Sequence, residues 1–302
     1  MSPAMNPHLK EIDVDVLYHL GLDSTMDLPG MFGDVRVVCM GGSNDRMWSF
    51  AQKLATEISD WNVDPRDLKP FGTTDRFALY KIGPVLSISH GMGIGSIRIM
   101  LHEITKMLHY AGVRDVQYIR IGTCGGIGVD PGTVVLTEEA LNPKLKAKDE
   151  VVKLGKVCAF PTTFDPALLR ALYENRGSVP AIRGKTVATN CFYEEQTRLD
   201  GAVDPGYTRQ EQRAFLHHLR DIGVRSYEME ATALAGFCNR AGIAAADASM
   251  VIVNRLQGDQ VISTHEELAA MSTNAQNLVL QYIRHHLIPH KPTRPKMATN
   301  AL

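Results

Sequence analysis

Short runs of β-branched residues alternate with longer stretches of helical period along most of this 302-residue chain. That alternation restricts the fold more than any other feature. Val35–Met40 reads as a buried strand, followed after a glycine turn by a helix from Met47 to Ile58. Arg76–Ile82 and Val85–Ser89 read as two strands broken at Gly83-Pro84, a hairpin signal. In Ile94–Tyr110 the apolar residues Ile97, Met100, Leu101, Ile104 and Leu108 recur with the period of an amphipathic helix, which ends near Gly112. Val116–Ile121 is a further buried strand running into glycines. Thr133–Thr137, Lys185–Thr189 and Ala248–Asn254 supply more strands, and Glu230–Arg240 and Glu266–His286 read as helices. Strands alternating with helices predict an α/β fold whose mixed central sheet is covered on both faces. With no repeat and no linker-like stretch between Met31 and Pro289, one domain over 1–302 is expected, with loosely ordered tails at about 1–15 and 290–302.

Composition removes several function classes. A net charge of −1 argues against a general nucleic-acid or membrane binder. No apolar run approaches the ~20 residues of a spanning helix, and Met1–Lys10 lacks the apolar core of a signal peptide. The five cysteines (Cys39, Cys124, Cys158, Cys191 and Cys238) are scattered and never spaced as metal pairs. The histidines form no H-E-x-x-H pattern, and His217-His218 and His285-His286 read as surface helix residues. A cytoplasmic protein with reduced thiols and no metal is expected.

Two glycine-rich stretches read as turns, and each carries an arginine. In Gly41-Gly42-Ser43-Asn44-Asp45-Arg46, backbone N–H groups free of side-chain obstruction could cradle an anion, with Arg46 adding charge. This is neither a Walker loop nor G-x-G-x-x-G, and taken alone it also reads as a plain strand–helix connection. The second turn, Arg120-Ile121-Gly122-Thr123-Cys124-Gly125-Gly126-Ile127-Gly128, lies at the end of an apolar strand. An arginine at the end of a buried strand is costly unless it meets an anion. Thr123 adds a hydroxyl at the carboxyl edge of the sheet, where α/β folds bind ligands. Together the two segments describe a phosphate pocket without a metal.

Two further segments bear polar groups suited to a nucleoside. In Tyr227-Glu228-Met229-Glu230, a carboxylate just before a small-residue helix could accept hydrogen bonds from a sugar diol, with Met229 packed beneath the ring. Glu230 could equally serve only to complement the helix dipole. In Phe192-Tyr193-Glu194-Glu195-Gln196-Thr197-Arg198, a carboxamide and a guanidinium two residues apart follow an aromatic ring. Side chains at i and i+2 share a side in an extended or tightly turning segment. Gln196 offers an acceptor and a donor, and Arg198 a fork of donors, matching the N3–H and the two carbonyl oxygens of a uracil edge. Taken alone this segment also reads as a solvated polar loop.

With these segments together, the chain resembles the uridine phosphorylases of the nucleoside phosphorylase I superfamily. The resemblance runs from Tyr18-His19-Leu20-Gly21-Leu22 to Asn254-Arg255 and the helix beyond. It includes Gly72-Thr73-Thr74-Asp75-Arg76 and Ser89-His90-Gly91-Met92-Gly93. The spacing and the long N-terminal extension are similar to animal rather than bacterial members. The resemblance implies a distorted, barrel-like mixed sheet, no cofactor, and phosphate as co-substrate in the reaction uridine + phosphate ⇌ uracil + ribose 1-phosphate. It implies that Gly42, Arg46, Arg120 and Thr123 hold phosphate, with Arg76 entering from a neighbouring subunit. Met229 and Glu230 would position ribose, with His19 of the neighbour at the 5′-hydroxyl. Phe192, Gln196 and Arg198 would enclose uracil, Gly125 would lie against it, and Arg255 would stand behind its O4 side. A shared site implies a homo-oligomer, with a dimer as the animal-type expectation.

Two positions depart from the pattern. Cys124 stands where relatives more often carry serine or threonine, and the phosphate turn reads Gly-Ser-Asn-Asp-Arg rather than the bacterial Gly-Asp-Pro-x-Arg. Asn254 takes the place of the aspartate that protonates purines in related enzymes. The competing readings are a purine phosphorylase or a nucleosidase on the same fold, and a catalytically silent nucleoside-binding protein.

Overall fold

The backbone of one long strand organises the molecule. In the computed structural model, which describes residues 5–72 and 74–288, the segment Gln117–Gly126 is a continuous ten-residue strand through the glycine run. The sequence reading ended this strand at Ile121. Two neighbours decide otherwise, because buried backbone groups must be paired. One runs parallel from Ala244↔Gln117 to Asn254↔Gly126, and the other closes antiparallel at Ser226↔Gly126 and Tyr227↔Gly125. The "turn" of glycines is therefore ladder, and its amides are not an open cradle.

In chain order the elements are β1 (Val16–Leu17), β2 (Leu22–Asp23), α1 (Leu28–Phe32), β3 (Val37–Gly41), α2 (Asn44–Glu57), β4 (Leu79–Ile82), β5 (Val85–Ser89), α3 (Gly93–Tyr110) and β6 (Gln117–Gly126). There follow β7 (Val134–Leu141), β8 (Lys148–Lys153), β9 (Lys156–Pro161), α4 (Pro166–Glu174), β10 (Ala181–Ala188), α5 (Arg209–Asp221), β11 (Val224–Glu228), α6 (Ala231–Ala241), β12 (Ala244–Asn254) and α7 (His265–Leu287). The main sheet has the order β11-β10-β7-β12-β6-β3-β5-β4, and the extra β11–β6 pairing closes its first five strands into a small barrel. Strands β3, β5 and β4 continue the sheet outward. Both parallel and antiparallel pairs occur, so the mixed, barrel-like α/β sheet expected from the sequence is present.

One apolar core runs from β3, α2 and α3 through the barrel to α6 and α7, with Phe32, Phe50, Met40, Tyr118 and Leu278 fully buried. Two elements absent from the sequence reading, β8 and β9, form a separate hairpin beside α6. In the N-terminal stretch, Asn6 caps a short 3₁₀ turn at Pro7–Glu11, and the buried carboxylate of Asp15 takes Lys106 Nζ (2.7 Å) and Tyr110 Oη (2.8 Å). Residues 1–4, Thr73 and the expected tail 290–302 lie outside the described residues. Among the described residues no helix is long and apolar enough to cross a membrane, and no group of three or more His, Cys, Asp or Glu is arranged to hold a metal.

Candidate active site

Three helix N-termini point into one cavity of about 210 Å³ at the carboxyl ends of β3, β6 and β11. Gly42 and Ser43 bring the start of α2, Gly91 and Met92 the start of α3, and Glu228, Met229 and Glu230 the start of α6. Unsatisfied N–H groups and the helix dipole make such ends favourable to negative charge. Ser43 caps α2 by accepting from Arg46 N at 3.3 Å. Helix α3 has no cap from its own N-cap residue, Met92; instead Glu230 Oε1 accepts from Gly93 N at 2.5 Å. Glu228 accepts from Glu230 N (2.7 Å) and Ala231 N (3.0 Å), capping α6. The dipole that Glu230 complements is thus that of α3.

Arg120 crosses the cavity floor from the interior of β6. Its Nη1 lies 2.7 Å from Asp247 Oδ1, 3.0 Å from Ser249 Oγ and 3.2 Å from Glu228 Oε2, while Nη2 pairs with Glu230. The sequence places this arginine at the end of a buried strand, where it is costly unless it meets an anion. In fact it is buried among carboxylates that neither its motif nor its neighbours in sequence announce. Burial opposes its charge, but Glu230, Asp247 and Glu228 outweigh burial and hold it more firmly protonated than a free arginine. Behind it, Asp247 Oδ2 accepts from Thr137 Oγ1 at 2.7 Å, and Thr137, Thr186 and Ser226 continue a chain of hydroxyls through the barrel. Three carboxylates for one guanidinium push the Glu228 carboxyl up to about 8, through burial first and then through Glu230 and Asp247, against the pull of Arg120. Arg46, on the opposite wall, has its proton affinity lowered by burial and by Arg120, with Glu230 opposing. Two guanidiniums therefore face one cavity, an arrangement that an anion relieves.

The base-recognition candidates divide. Phe192, Gln196, Thr123, Cys124, Gly125 and Met229 line the cavity together with Gly42, Arg46, Arg120 and Glu230. Gln196 is 3% exposed, and its amide nitrogen donates to Thr189 Oγ1 at 3.2 Å, which orients the carboxamide. Arg198 does not line the cavity wall beside it. Thr197, between them, adopts a left-handed backbone (φ 53°), so the same-side rule of extended chain fails here. Arg198 instead makes a forked pair with Asp200 (2.8 and 2.5 Å) and stacks 4.5 Å from the Phe192 ring centroid. Arg255 stands behind the loop, its Nη2 on Gln196 O at 2.8 Å and its Nε on Asp259 at 3.0 Å, with Nη1 buried and unpaired among the described residues. The Cys124 thiol is buried, 3.5 Å from Ser249 O, and burial raises its proton affinity so that it stays a thiol.

Asn254 does not enter the cavity. Its side chain ties Gly128 N (3.2 Å), Leu256 N (3.2 Å) and Asp130 together. The β12 side chain that lines the cavity is Ile252, which the register leaves as the extra residue of a bulge between Val251↔Cys124 and Val253↔Gly125. A bulge re-aims a side chain in this way.

His19 and Arg76 also lie outside the lining. His19 Nδ1 pairs with Glu103 at 2.6 Å, its carbonyl accepts from Thr74 Oγ1 at 2.7 Å, and its ring lies 6.1 Å from that of Phe77. Arg76 precedes Phe77 in an exposed bend; β4 begins only at Leu79.

Over most of its length the chain is similar to known proteins. Residues 36–284 match the phosphorylase superfamily. The chain is 42% identical to uridine phosphorylase 1 of Mus musculus over 93% of its own length and 92% of that protein. It is 37% identical to a Schistosoma mansoni protein described as inactive uridine phosphorylase B, covering 94% of this chain and 96% of that one. Uridine phosphorylase from Schistosoma mansoni in complex with uracil superposes with a TM-score of 0.88 at 39% identity, over 93% of this chain and 98% of that one.

Proposed function

The chain belongs to the uridine phosphorylases of the phosphorylase superfamily, and from that premise we propose how its cavity carries out phosphate-dependent cleavage of uridine to uracil and ribose 1-phosphate. One observation carries the reading: Arg46, Arg120 and the N-termini of α2 and α3 face the same cavity as the buried carboxamide of Gln196. An anion site and a flat, polar-edged site thus adjoin, as attack of phosphate on a nucleoside requires.

Phosphate sits on the Gly42–Ser43 turn between Arg46 and Arg120, with Thr123 donating a hydroxyl hydrogen bond. Glu230 accepts from the ribose diol while Arg120 and Gly93 N fix its carboxylate, and Met229 packs against the sugar. Gln196 reads N3–H and O2 of uracil. Phe192 covers the base, Gly125 and Cys124 lie beneath it, and Arg198 and Arg255 bring positive charge to its O4 side. As the N-glycosidic bond breaks, positive charge grows on the ribose ring and negative charge on uracil. The arginines behind Gln196 stabilise the departing anion, and the bound phosphate stabilises the sugar cation before capturing C1′. Asn254, which by resemblance takes the place of the purine-protonating acid, is turned to Gly128, Leu256 and Asp130 and offers no proton, in keeping with a pyrimidine that leaves as an anion. Phosphate is a co-substrate, and no step requires a cofactor.

His19 and Arg76 complete the site of a second subunit. Supporting this, the segment ending at His19 exposes Val14 (49%), Val16 (60%) and Tyr18 (69%) on the outside of the fold. Exposed apolar surface of this kind suits a two-fold contact between copies. The scattered cysteines, free of disulfides among the described residues, support a cytoplasmic setting.

The name of the inactive relative makes a silent binder the reading to exclude. The test is uracil release from uridine with and without inorganic phosphate. A phosphorylase releases uracil only when phosphate is present, a nucleosidase releases it in either case, and a silent binder releases none.

A further inference from the structure

The imidazole of His90 is fully buried, and neither Nδ1 nor Nε2 has a hydrogen-bond partner among the described residues. It lies at the end of β5, outside every role assigned above. Its backbone is fixed on both sides: His90 N donates to Gly41 O at 2.8 Å, and His90 O accepts from Ser96 Oγ at 2.6 Å. The ring is consequently held behind the Gly42 turn. A Cβ added at Gly42 would stand 4.0 Å from His90 Cε1 and 3.8 Å from Arg46 Nη1, so the ring and the guanidinium flank the same glycine. The charged groups around it are Arg46 on α2 and Arg120 on β6, with Glu230 at the start of α6 balancing the two arginines.

A neutral imidazole must donate from one nitrogen and can accept at the other. Leaving both unpaired in a buried site is unfavourable, and such groups call for a ligand or an ordered water. Burial first, then Arg120 and Arg46, depress its proton affinity. The nearby backbone of Gly91 and of His90 itself opposes them without making a hydrogen bond of good geometry, and the net direction is well down, so the ring is neutral at ordinary pH. We propose that His90 is a further phosphate-binding residue, a neutral imidazole behind the Gly42 turn whose N–H is satisfied, through an ordered water, by inorganic phosphate in the cavity. The inference rests on the phosphorylase reading and adds to it a donor that carries no charge. A neutral donor holds the anion without adding a third cation to Arg46 and Arg120.

The test has two arms. Protein with ¹⁵N-labelled histidine is titrated with inorganic phosphate, and the His90 signals are assigned by their loss in His90→Gln. Phosphate is expected to shift the His90 ring nitrogens, while uridine alone leaves them in place. In steady-state kinetics His90→Leu should raise the KM for phosphate about tenfold or more with the KM for uridine little changed, and His90→Gln, which keeps an N–H donor, should recover most of the loss. If wild-type protein turns over uridine with phosphate while the His90 nitrogens do not move, the inference is overturned and the phosphorylase reading stands. Equal losses in His90→Leu and His90→Gln also overturn it. Failure of wild-type protein to use phosphate at all overturns both. The spectroscopic arm uses wild-type protein and so does not depend on His90→Leu folding.

Discussion

Gly122 lies directly under the guanidinium of Arg120: a Cβ at Gly122 would stand 2.4 Å from Arg120 Nη1 and 2.5 Å from Ser249 Oγ. Residues i and i+2 of a strand share a face, so only glycine lets the arginine lie flat across β6 toward Asp247 and Glu230. Gly122→Ala should displace the guanidinium and cost about 1–3 kcal/mol in stability through overpacking. It should also raise the KM for phosphate and lower kcat. Thermal unfolding together with steady-state kinetics checks this, and unchanged phosphate kinetics would show that Arg120 can serve from another position.

Base selectivity follows from Gln196. Cytosine N3 is a bare acceptor where uracil N3–H would donate to the Gln196 carbonyl, and its amino group replaces O4 on the side of Arg198 and Arg255. Acceptor would face acceptor and donor would face donor, and a buried site made for such bonds discriminates by ~10⁴ or more. Cytidine, adenosine and inosine should be cleaved poorly or not at all. Gln196→Ala should lower kcat/KM for uridine far more than it weakens phosphate binding. Comparable kcat/KM for uridine and cytidine would remove the carboxamide from its role.

A good part of this was legible in the sequence, and what was not has physical causes. The alternation of strands and helices and the Gly42–Arg46 turn follow from local pattern, whereas the shared cavity of Gln196, Arg46 and Arg120 was implied only by the resemblance to uridine phosphorylases. The glycines of Gly122–Gly126 read locally as a turn, but pairing with β12 and β11 makes them strand. Ile252 enters the cavity through a one-residue register shift, which no local signal carries. Asp247 could have been found: a lone carboxylate within Ala244-Ala245-Ala246-Asp247-Ala248 has to meet a buried cation. Helix α5 also carried a signal, the Thr208…Glu211 capping box. The left-handed Thr197, which separates Arg198 from Gln196, is not a glycine and gave no warning.

The carboxylates around Arg120 give stability a pH dependence of definite sign. The Glu228 carboxyl, raised to about 8, binds a proton more tightly in the folded chain than in the unfolded one. Its stabilising contribution is fully present below the unfolded value near 4.5 and is lost as pH rises toward 8. Glu228→Gln keeps an acceptor for the two amides at the start of α6 and removes the titration. The mutant should therefore lose less Tm than wild type between pH 6 and pH 9. Parallel Tm profiles for the two proteins would show that Glu228 is ionised throughout.

The proposed contribution of Arg76 to a neighbouring subunit makes a complementation prediction. Arg76→Ala and Arg198→Ala should each be nearly inactive alone. Refolded together, they should regain part of the activity, because each hybrid dimer holds one site with both arginines intact. If hybrids form and activity stays at the level of the separate mutants, Arg76 does not serve a neighbouring subunit.

In the proposed reaction phosphate, not water, accepts the ribose. The direct measurement is a ³¹P spectrum of uridine and inorganic phosphate incubated with the protein, with uracil quantified in the same sample. A new sugar-phosphate resonance should grow as inorganic phosphate falls, in equal amounts with the uracil released. Uracil appearing while the inorganic phosphate signal stays constant would contradict the account, as would tight uridine binding with no uracil at all.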